Sequence, residues 1–345
     1  MTLWQANVAL SPAAAMRARC KGMRLAVVSV LLVAGLMSAL MQSAPAQTWP
    51  NRPVRLIVGQ NAGATPDIVA RMVAERLSAG LGQPIVVDNR GGADGVIAVQ
   101  ALKAAPTDGY SLLFAASSLI ATNPHSFKSL PYSPERDFVA VGMVGMSPFM
   151  VALNNEVKAR NLAELIALGR SSPDKLAFAS PGKRLLPGMA GDMLARSGNF
   201  PMLHVPYKGA SGVQDTIAGR TQLTVQGIPA VVGAVKRGQL RAIAVSSARR
   251  LPGLEDIPTL AETLPGAVYV GWFAVLAATG TPNEAIMRTN RELDRVLAEP
   301  DMIQKLHGLG IYPEGAWTPA QLEDFMRNDR ARWGKVIRDL GLEAE

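Results

Sequence analysis

The sequence contains few of the residues that form disulfides, metal centres or stacking surfaces. Among 345 residues there are one cysteine, Cys20, three histidines and only 5% aromatic residues. A single cysteine cannot form an internal disulfide, and a thiolate metal site needs several. So few aromatic residues also argue against the base-stacking surfaces of nucleic-acid-binding proteins. We therefore expect a fold that is stabilised by its apolar core alone, without a metal ion or other cofactor.

The sequence motifs of common enzymes are missing too. The chain has no H-E-x-x-H, G-x-S-x-G, G-x-x-x-x-G-K-[ST] or G-x-G-x-x-G segment. His125, His204 and His307 have no metal-ligand spacing, and each is interpreted as a loop or surface residue. We predict a protein that is not an enzyme and that has neither catalytic nor metal-binding residues.

The net charge of +8 comes largely from the amino-terminal segment. Residues 1–46 contain Arg17, Arg19, Lys21 and Arg24 and no acidic residue, which leaves 31 basic and 27 acidic residues in the remainder. These basic residues are scattered and form no run that would bind a phosphate backbone. A nucleic-acid partner is therefore not expected.

Residues 1–46 have the pattern of a secretory signal peptide. A basic region ends at Arg24, an uncharged apolar stretch runs from Leu25 to Met41, and Ala44-Pro45-Ala46 is a cleavage site of small residues. This pattern predicts export to the periplasm with cleavage after Ala46. The alternative is a membrane anchor, because the apolar stretch is near the lower length limit for crossing a bilayer.

The remaining chain alternates between β-rich and helical segments. Val54–Val58 is a short β-rich run, and Ile68–Leu81 has apolar residues at helical spacing. The alternation restarts after Asn161, and the chain is expected to be mostly helical after Trp272. This order predicts an α/β fold of two units, each with a mostly parallel sheet covered by helices.

Loops that follow strands are the candidate binding sites, because ligands of open α/β sheets bind at the carboxyl ends of the strands. Thr65 suits the N-cap of the first helix, and free amides there would bind a carboxylate. Two interpretations of Asp67 are open: it complements the helix dipole, or it contacts a donor on the ligand. The candidates in this loop are Gln60, Asn61, Ala62, Gly63, Ala64, Thr65 and Asp67.

A second loop of the same kind lies in the second unit. Lys183 and Arg184 either contact an anionic ligand or point into solvent at the rim. Ser117 and Ser118 follow another strand and either donate to a carboxylate or serve turn formation, and Tyr207 either binds or packs between domains. The candidates here are Ser117, Ser118, Ser180, Gly182, Lys183, Arg184, Leu185 and Tyr207.

Several ordered segments resemble one protein family. They include Trp49-Pro50-Asn51-Arg52-Pro53, Pro106-Thr107-Asp108-Gly109-Tyr110, His204-Val205-Pro206-Tyr207-Lys208-Gly209 and Gly280-Thr281-Pro282. From about Trp49 to its end, the chain resembles the extracytoplasmic receptors of tripartite tricarboxylate transporters, the Bug (TctC-like) family of solute-binding proteins.

The resemblance implies a two-lobed, type II-like periplasmic binding protein, or Venus flytrap. Lobe 1 would comprise residues 47–147 plus 271–345, and lobe 2 residues 148–270. The resemblance also implies a monomer that binds a small organic carboxylate between its lobes and passes it to membrane permease subunits. A periplasmic sensor subunit that presents the ligand to a signalling partner is the alternative.

The sequence departs from the family pattern in the candidate loops. Lys183, Arg184 and Leu185 stand where the family usually has Asn-Gly and a small hydroxyl residue, and Gln226 stands where an aspartate is frequent. These changes imply a more cationic and more apolar cleft. The expected ligand is larger or more anionic than a C4 diacid, such as an aromatic or longer-chain carboxylate. The other possibility is that Arg184 blocks the usual site.

Overall fold

The computed structural model describes residues 49–172, 176–183, 185–207 and 211–344. The predicted signal peptide and Arg184 lie outside the described residues. Nine strands are described: β1 Val54–Val58, β2 Ile85–Asn89, β3 Ser111–Ala116, β4 Phe138–Asn154, β5 Ala177–Ser180, β6 Leu203–Pro206, β7 Leu223–Gly227, β8 Leu240–Val245 and β9 Val270–Ala278.

Helices fill most of the connections between these strands. The described α-helices are α1 Thr65–Leu81, α2 Val96–Lys103, α3 Ser117–Ala121, α4 Asn123–Ser126, α5 Pro134–Asp137, α6 Leu162–Ser171, α7 Leu186–Gly198, α8 Ser211–Ile217, α9 Ile228–Lys236, α10 Leu260–Thr263, α11 Asn283–Leu297, α12 Pro300–Gly308 and α13 Pro319–Asp339. A short 3-10 helix covers Ala93–Gly95.

The first helix shows why these segments fold as they do. Val69, Val73 and Leu77 recur at helical spacing and are fully or almost fully buried. Gly82 ends the helix with a left-handed φ of 71°, and its N–H donates to the carbonyl of Ser78 at 3.1 Å. Glycine adopts this conformation without steric cost, so the helix stops where the apolar spacing stops.

The strands form one mixed sheet in the order β2-β1-β3-β9-β4-β7-β5-β6, with β8 also pairing with β4. Strands β2, β1 and β3 are mutually parallel, as are β6, β5 and β7. The central strands β9 and β4 and the added strand β8 pair antiparallel. The α/β fold is therefore confirmed, with its parallel strands in two outer groups and its antiparallel strands between them.

Strand β4 joins the two groups. Residues from Phe138 to Pro148 pair with β9, whereas Phe149–Leu153 pair with β7. We call β2, β1, β3, β9 and β4 up to Pro148 the first half, and β4 from Phe149 with β7, β5, β6 and β8 the second half. The expectation of a mostly helical chain after Trp272 holds for α11, α12 and α13, but β9, in which all nine residues are buried, first continues to Ala278.

Helices cover both faces of each half, as the α/β class requires. In the first half one apolar cluster packs α1 and α11 on the sheet, and a second packs α2. In the second half α6 and α7 cover one face and α8 and α9 the other. Helix α13 belongs to both halves: Leu322 and Met326 pack in a first-half cluster, and Trp333 and Ile337 in a second-half cluster.

Candidate functional site

Four helices follow the carboxyl ends of parallel strands, two of them at the next residue and two after a short loop. Helix α1 follows β1, α3 follows β3, α7 follows β5 and α9 follows β7. Their N-cap residues, which are Ala64, Ala116, Leu185 and Gly227, make no side-chain capping hydrogen bond. Amides in the first turn of such a helix have no intrahelical partner and attract anions. The edge of each half therefore presents backbone donors.

The sequence predicted Thr65 as the N-cap of α1, and this prediction is wrong. Thr65 is the first helical residue, and Ala64 occupies the N-cap position with an extended backbone. Pro66 follows within the first turn, where its missing N–H leaves no intrahelical bond unmade. The threonine is partly buried, and Ala64 cannot supply a side-chain acceptor. The amino end of α1 is consequently more open than a threonine cap would leave it.

Asp67 organises the first loop. Its side chain is 3% exposed and accepts from the Gly63 N–H at 2.8 Å and from Asn89 Nδ2 at 2.9 Å. Arg71 Nε lies 2.9 Å from Oδ1. Burial would raise the pKa of Asp67, but these three donors outweigh it and hold the pKa below its usual value. Both carboxylate oxygens therefore have protein partners, which favours the structural reading of Asp67.

Gln60 links the same loop to strand β2. Its backbone carbonyl accepts from Asn89 Nδ2 at 3.1 Å, while its side-chain Oε1 is buried and has no hydrogen-bond partner among the described residues. Asn61, Ala62 and Gly63 are exposed next to it. The loop thus presents one unsatisfied buried acceptor beside an accessible backbone. Sequence reasoning did not single out Asn89 as a site residue, although a polar residue ends β2 there.

Ser117 lies where the two halves meet. It is 2% exposed and begins α3, and Ser118 beside it is partly buried. A Cβ atom added to Gly271 of β9 would lie 3.4 Å from both Ser117 Oγ and Leu186 Cδ1. Leu186 is the first residue of α7 in the second half. The structure therefore brings the amino end of α7 against Ser117 and Gly271 of the first half.

Three polar side chains next to the second loop are hydrogen-bonded in series. Ser180 is fully buried, and its Oγ lies 2.6 Å from His204 Nε2. His204 Nδ1 lies 3.0 Å from Asp192 Oδ2. The interpretation of His204 as a loop or surface residue is wrong: it lies in β6, and its ring stacks on Phe178 with centroids 4.2 Å apart. Parallel pairing of β5 with β6 causes this, because it places His204 directly beside Phe178.

Residues of the loop itself are more accessible. Gly182 is partly buried, Lys183 is exposed, and Leu185 is 45% exposed, which is unusual for a leucine. A Cβ atom on Gly182 would lie 3.2 Å from the Leu185 side chain, so this leucine folds back over the glycine. Apolar and cationic surface therefore lie side by side at the start of α7.

Tyr207 and Gln226 complete the predicted set. The Tyr207 hydroxyl donates to Asp215 Oδ2 at 2.8 Å, and burial together with that carboxylate raises the pKa of Tyr207. Its hydroxyl proton is thus already engaged. Gln226 is the penultimate residue of β7 and is 2% exposed, yet its Nε2 has no hydrogen-bond partner among the described residues. A buried amide without a partner costs about 1–3 kcal/mol, so a ligand or water is expected to satisfy it.

Two cavities lie away from these strand ends. One of about 900 Å³ is lined by residues that include Pro148, Arg249, Tyr312 and Arg332, and one of about 470 Å³ by residues that include Lys158 and Gln222. None of the predicted site residues lines either cavity.

The described part of the chain has neither a metal-binding cluster nor a membrane-spanning helix. No cluster of three or more His, Cys, Asp or Glu residues there could hold a metal ion. No helix in that part is both long and apolar enough to cross a membrane.

Comparisons with known proteins agree with this geometry. The family model described as "Tripartite tricarboxylate transporter family receptor" matches residues 69–342. Protein BugT of Bordetella pertussis is 34% identical over 299 residues, which are 86% of this chain and 91% of that protein. These matches cover nearly all of the described chain.

Solved structures give the fold. R. palustris Rpa4515 with adipate has a TM-score of 0.75 and 31% identity, and covers 86% of this chain and 100% of its own. The periplasmic binding protein BugD has a TM-score of 0.70 and 28% identity, with the same coverage. The two-lobed fold of periplasmic solute-binding proteins is therefore confirmed. The chain belongs to the tripartite tricarboxylate transporter receptor family, the Bug or TctC-like solute-binding proteins, which are not enzymes.

Proposed function

We propose that the protein captures a small organic carboxylate outside the cytoplasmic membrane and delivers it to the membrane permease subunits of a tripartite tricarboxylate transporter. The observation that carries the proposal is that Leu186, the first residue of the uncapped helix α7, extends its side chain to Gly271 of the other half, beside Ser117. It supports a ligand that is held from both halves. The receptor acts as a periplasmic monomer after its leader, residues 1–46, is cleaved after Ala46.

The lobes of this receptor are residues 47–147 plus 271–345 and residues 148–270. Two changes of pairing support these bounds. Strand β4 exchanges β9 for β7 between Pro148 and Phe149, and β9 begins at Val270 and pairs with β3 and β4. The connections between lobes are therefore few and close together, which suits a hinge-bending closure around a ligand.

The charges around the site favour an anion over a ligand with an ammonium group. Asp67, Asp192 and Asp215 are the carboxylates nearest the candidate residues, and each is engaged by protein donors. An ammonium group would need a free carboxylate, whereas a carboxylate can use the open amides of α1 and α7. The unpartnered Nε2 of Gln226 adds a neutral donor that suits a carboxylate.

The ligand that we propose is a dicarboxylate with an apolar middle. Rpa4515, which is similar over 86% of this chain, has been solved with adipate. Here Leu185 is 45% exposed and Leu186 reaches across to the first half, so methylene groups would find apolar contacts there. Lys183 is exposed at the rim and suits the second carboxylate.

Thermal unfolding of residues 47–345 with a panel of acids tests the ligand class. We expect adipate to raise the midpoint more than succinate or benzoate, and alanine to leave it unchanged. A ligand at 100 times its Kd adds about 2.7 kcal/mol to the stability of the folded state. Isothermal titration calorimetry then gives the affinity. The proposed ligand class would be wrong if alanine raised the midpoint and none of adipate, succinate and benzoate did.

Delivery to a permease is tested in cells. We expect a strain without the gene to lose uptake of ¹⁴C-adipate and to regain it from a plasmid copy. A copy without residues 1–46 is the control and should not restore uptake. Undiminished uptake in the deletion strain, together with tight binding in vitro, would separate binding from transport and point to a signalling partner.

A further inference from the structure

Three polar side chains beneath the second loop form a continuous chain. It runs from Asp192 on α7 through His204 on β6 to Ser180 at the end of β5. The two hydrogen bonds are 3.0 Å and 2.6 Å long, and the side chains of His204 and Asp192 are 9% and 23% exposed. We call these three residues the relay. The order of these residues is that of a catalytic serine–histidine–aspartate triad, in which the serine acts as the nucleophile.

The relay cannot attack a substrate. Ser180 is fully buried, and the His204 ring is covered by Phe178 on one side. A Cβ atom at Gly188 would lie 2.2 Å from the Gly182 carbonyl oxygen and 3.0 Å from Ser180 Oγ. No space for an acyl group remains beside the hydroxyl. A nucleophile needs room at its oxygen for a tetrahedral intermediate, and that room is absent here.

The hydrogen bonds of the relay indicate what it does instead. A carboxylate only accepts, so His204 Nδ1 donates to Asp192 Oδ2 at 3.0 Å, which fixes the orientation of the imidazole ring. Ser180 Oγ lies 2.6 Å from His204 Nε2 and 3.2 Å from the Gly182 carbonyl oxygen, and it accepts from the Gly182 N–H at 3.2 Å. The single hydroxyl proton is donated either to Nε2 or to that carbonyl, and in both arrangements the hydroxyl links His204 to the Gly182 backbone. The Gly182 carbonyl also accepts from the Leu185 N–H at 3.3 Å.

Asp192 thus lies three hydrogen bonds from the backbone of the second loop. We infer that the relay positions Gly182 and, through the Gly182 carbonyl, Leu185, and that Asp192 and His204 set carboxylate affinity without touching the ligand. The inference rests on the proposed function only where it concerns affinity. Its structural part, the ordering of the loop, holds for the protein without ligand.

Two measurements on the unliganded protein test the positioning. In histidine-¹⁵N-labelled protein we expect the His204 ring to be the Nδ1–H tautomer, and Asp192→Asn to disturb that tautomer. By hydrogen–deuterium exchange we expect Asp192→Asn to speed exchange of the Gly182 and Leu185 amides about tenfold, the effect of one charge-assisted hydrogen bond. The matched control is Asp324→Asn, an exposed ion-paired aspartate on α13, which should change neither.

Affinity is measured on the same variants with adipate as the probe. We expect about a tenfold loss in Asp192→Asn, partial recovery in Asp192→Glu and no loss in Asp324→Asn, with all unfolding midpoints close to that of the wild type. Unchanged exchange and unchanged affinity in Asp192→Asn would overturn the inference. Failure of the wild type to bind any acid would instead refute the proposed function, while the exchange experiment would still decide the positioning.

Discussion

Substituting Asp67 by asparagine tests whether one buried carboxylate maintains the first loop. The aspartate accepts from Gly63 through one oxygen and from Asn89 and Arg71 through the other. Asparagine keeps the shape but replaces one oxygen with an NH₂ group. If the remaining oxygen serves Asn89 and Arg71, that NH₂ group opposes the Gly63 N–H, and the bond that closes the loop is lost.

The expected destabilisation at pH 7 is about 2–3 kcal/mol. Loss of a buried hydrogen bond to a charged acceptor contributes about 1.5–3 kcal/mol. The ion pair with Arg71 adds little, because the side chain of Arg71 is 53% exposed and remains hydrated without its partner. The matched control is Asp301→Asn, whose side chain is 50% exposed. We expect its effect to stay below about 0.5 kcal/mol.

The lowered native pKa of Asp67 determines how the stability difference between wild type and Asp67→Asn changes with pH. Because the native pKa of Asp67 is lower than the ordinary value of 3.8, the ionised group stabilises the fold above that value. The contribution is lost as the pH falls through the lowered native pKa. Urea unfolding should therefore show the full gap between wild type and Asp67→Asn at pH 7 and pH 5, and a smaller gap at pH 3. Equal stability at pH 7, or a gap that does not shrink in acid, would refute the reasoning.

Three further substitutions have expected outcomes. Gln226→Leu should leave the unfolding midpoint unchanged or raise it, because an unpartnered buried amide is removed, and should weaken adipate binding about tenfold in calorimetry. Unweakened binding would place Gln226 outside the site. Gly188→Ala should destabilise the fold by about 1–3 kcal/mol in urea, since its Cβ would lie 2.2 Å from the Gly182 carbonyl; a neutral effect would contradict the tight packing. Trp272→Phe should cost about 1–3 kcal/mol, because it removes the 2.8 Å bond from its indole N–H to the buried Asp329, and a cost that persists in Trp272→Phe/Asp329→Leu would show that packing is responsible.

The periodic parts of the fold were predictable from the sequence. Val54–Val58 is a strand over the predicted residues, and α1 contains the whole segment Ile68–Leu81 for which helical spacing was predicted. In both, local propensity and burial agree, so a short window contains enough information. The location of the candidate loops after strands was predictable for the same reason.

Strand β4 was not predictable in this way. Its residues are buried on both faces, apart from two that are partly buried, so the period of two that indicates a strand is absent. Pro148 interrupts the run and usually argues against a central strand, because it cannot donate to a neighbour. Here it lies where the strand changes partners, from β9 to β7. Only the tertiary pairing explains why a proline is tolerated there.

Side-chain partners within the site were beyond the sequence as well. Asn89 reaches Asp67 across 22 residues, and His204 reaches Ser180 across 24. Both contacts depend on which strands are neighbours and in what register, which no local pattern specifies. The sequence could therefore name the loops that carry donors, but not the buried groups that hold those loops in shape.

Helix α13 restricts how the receptor can open. Its first turns are anchored by Leu322 and Met326 in one half, and its last turns by Trp333 and Ile337 in the other. A change of the angle between the halves must either bend this helix or break one of its two sets of contacts. Helix α13 is therefore expected to lie close to the axis about which the halves rotate.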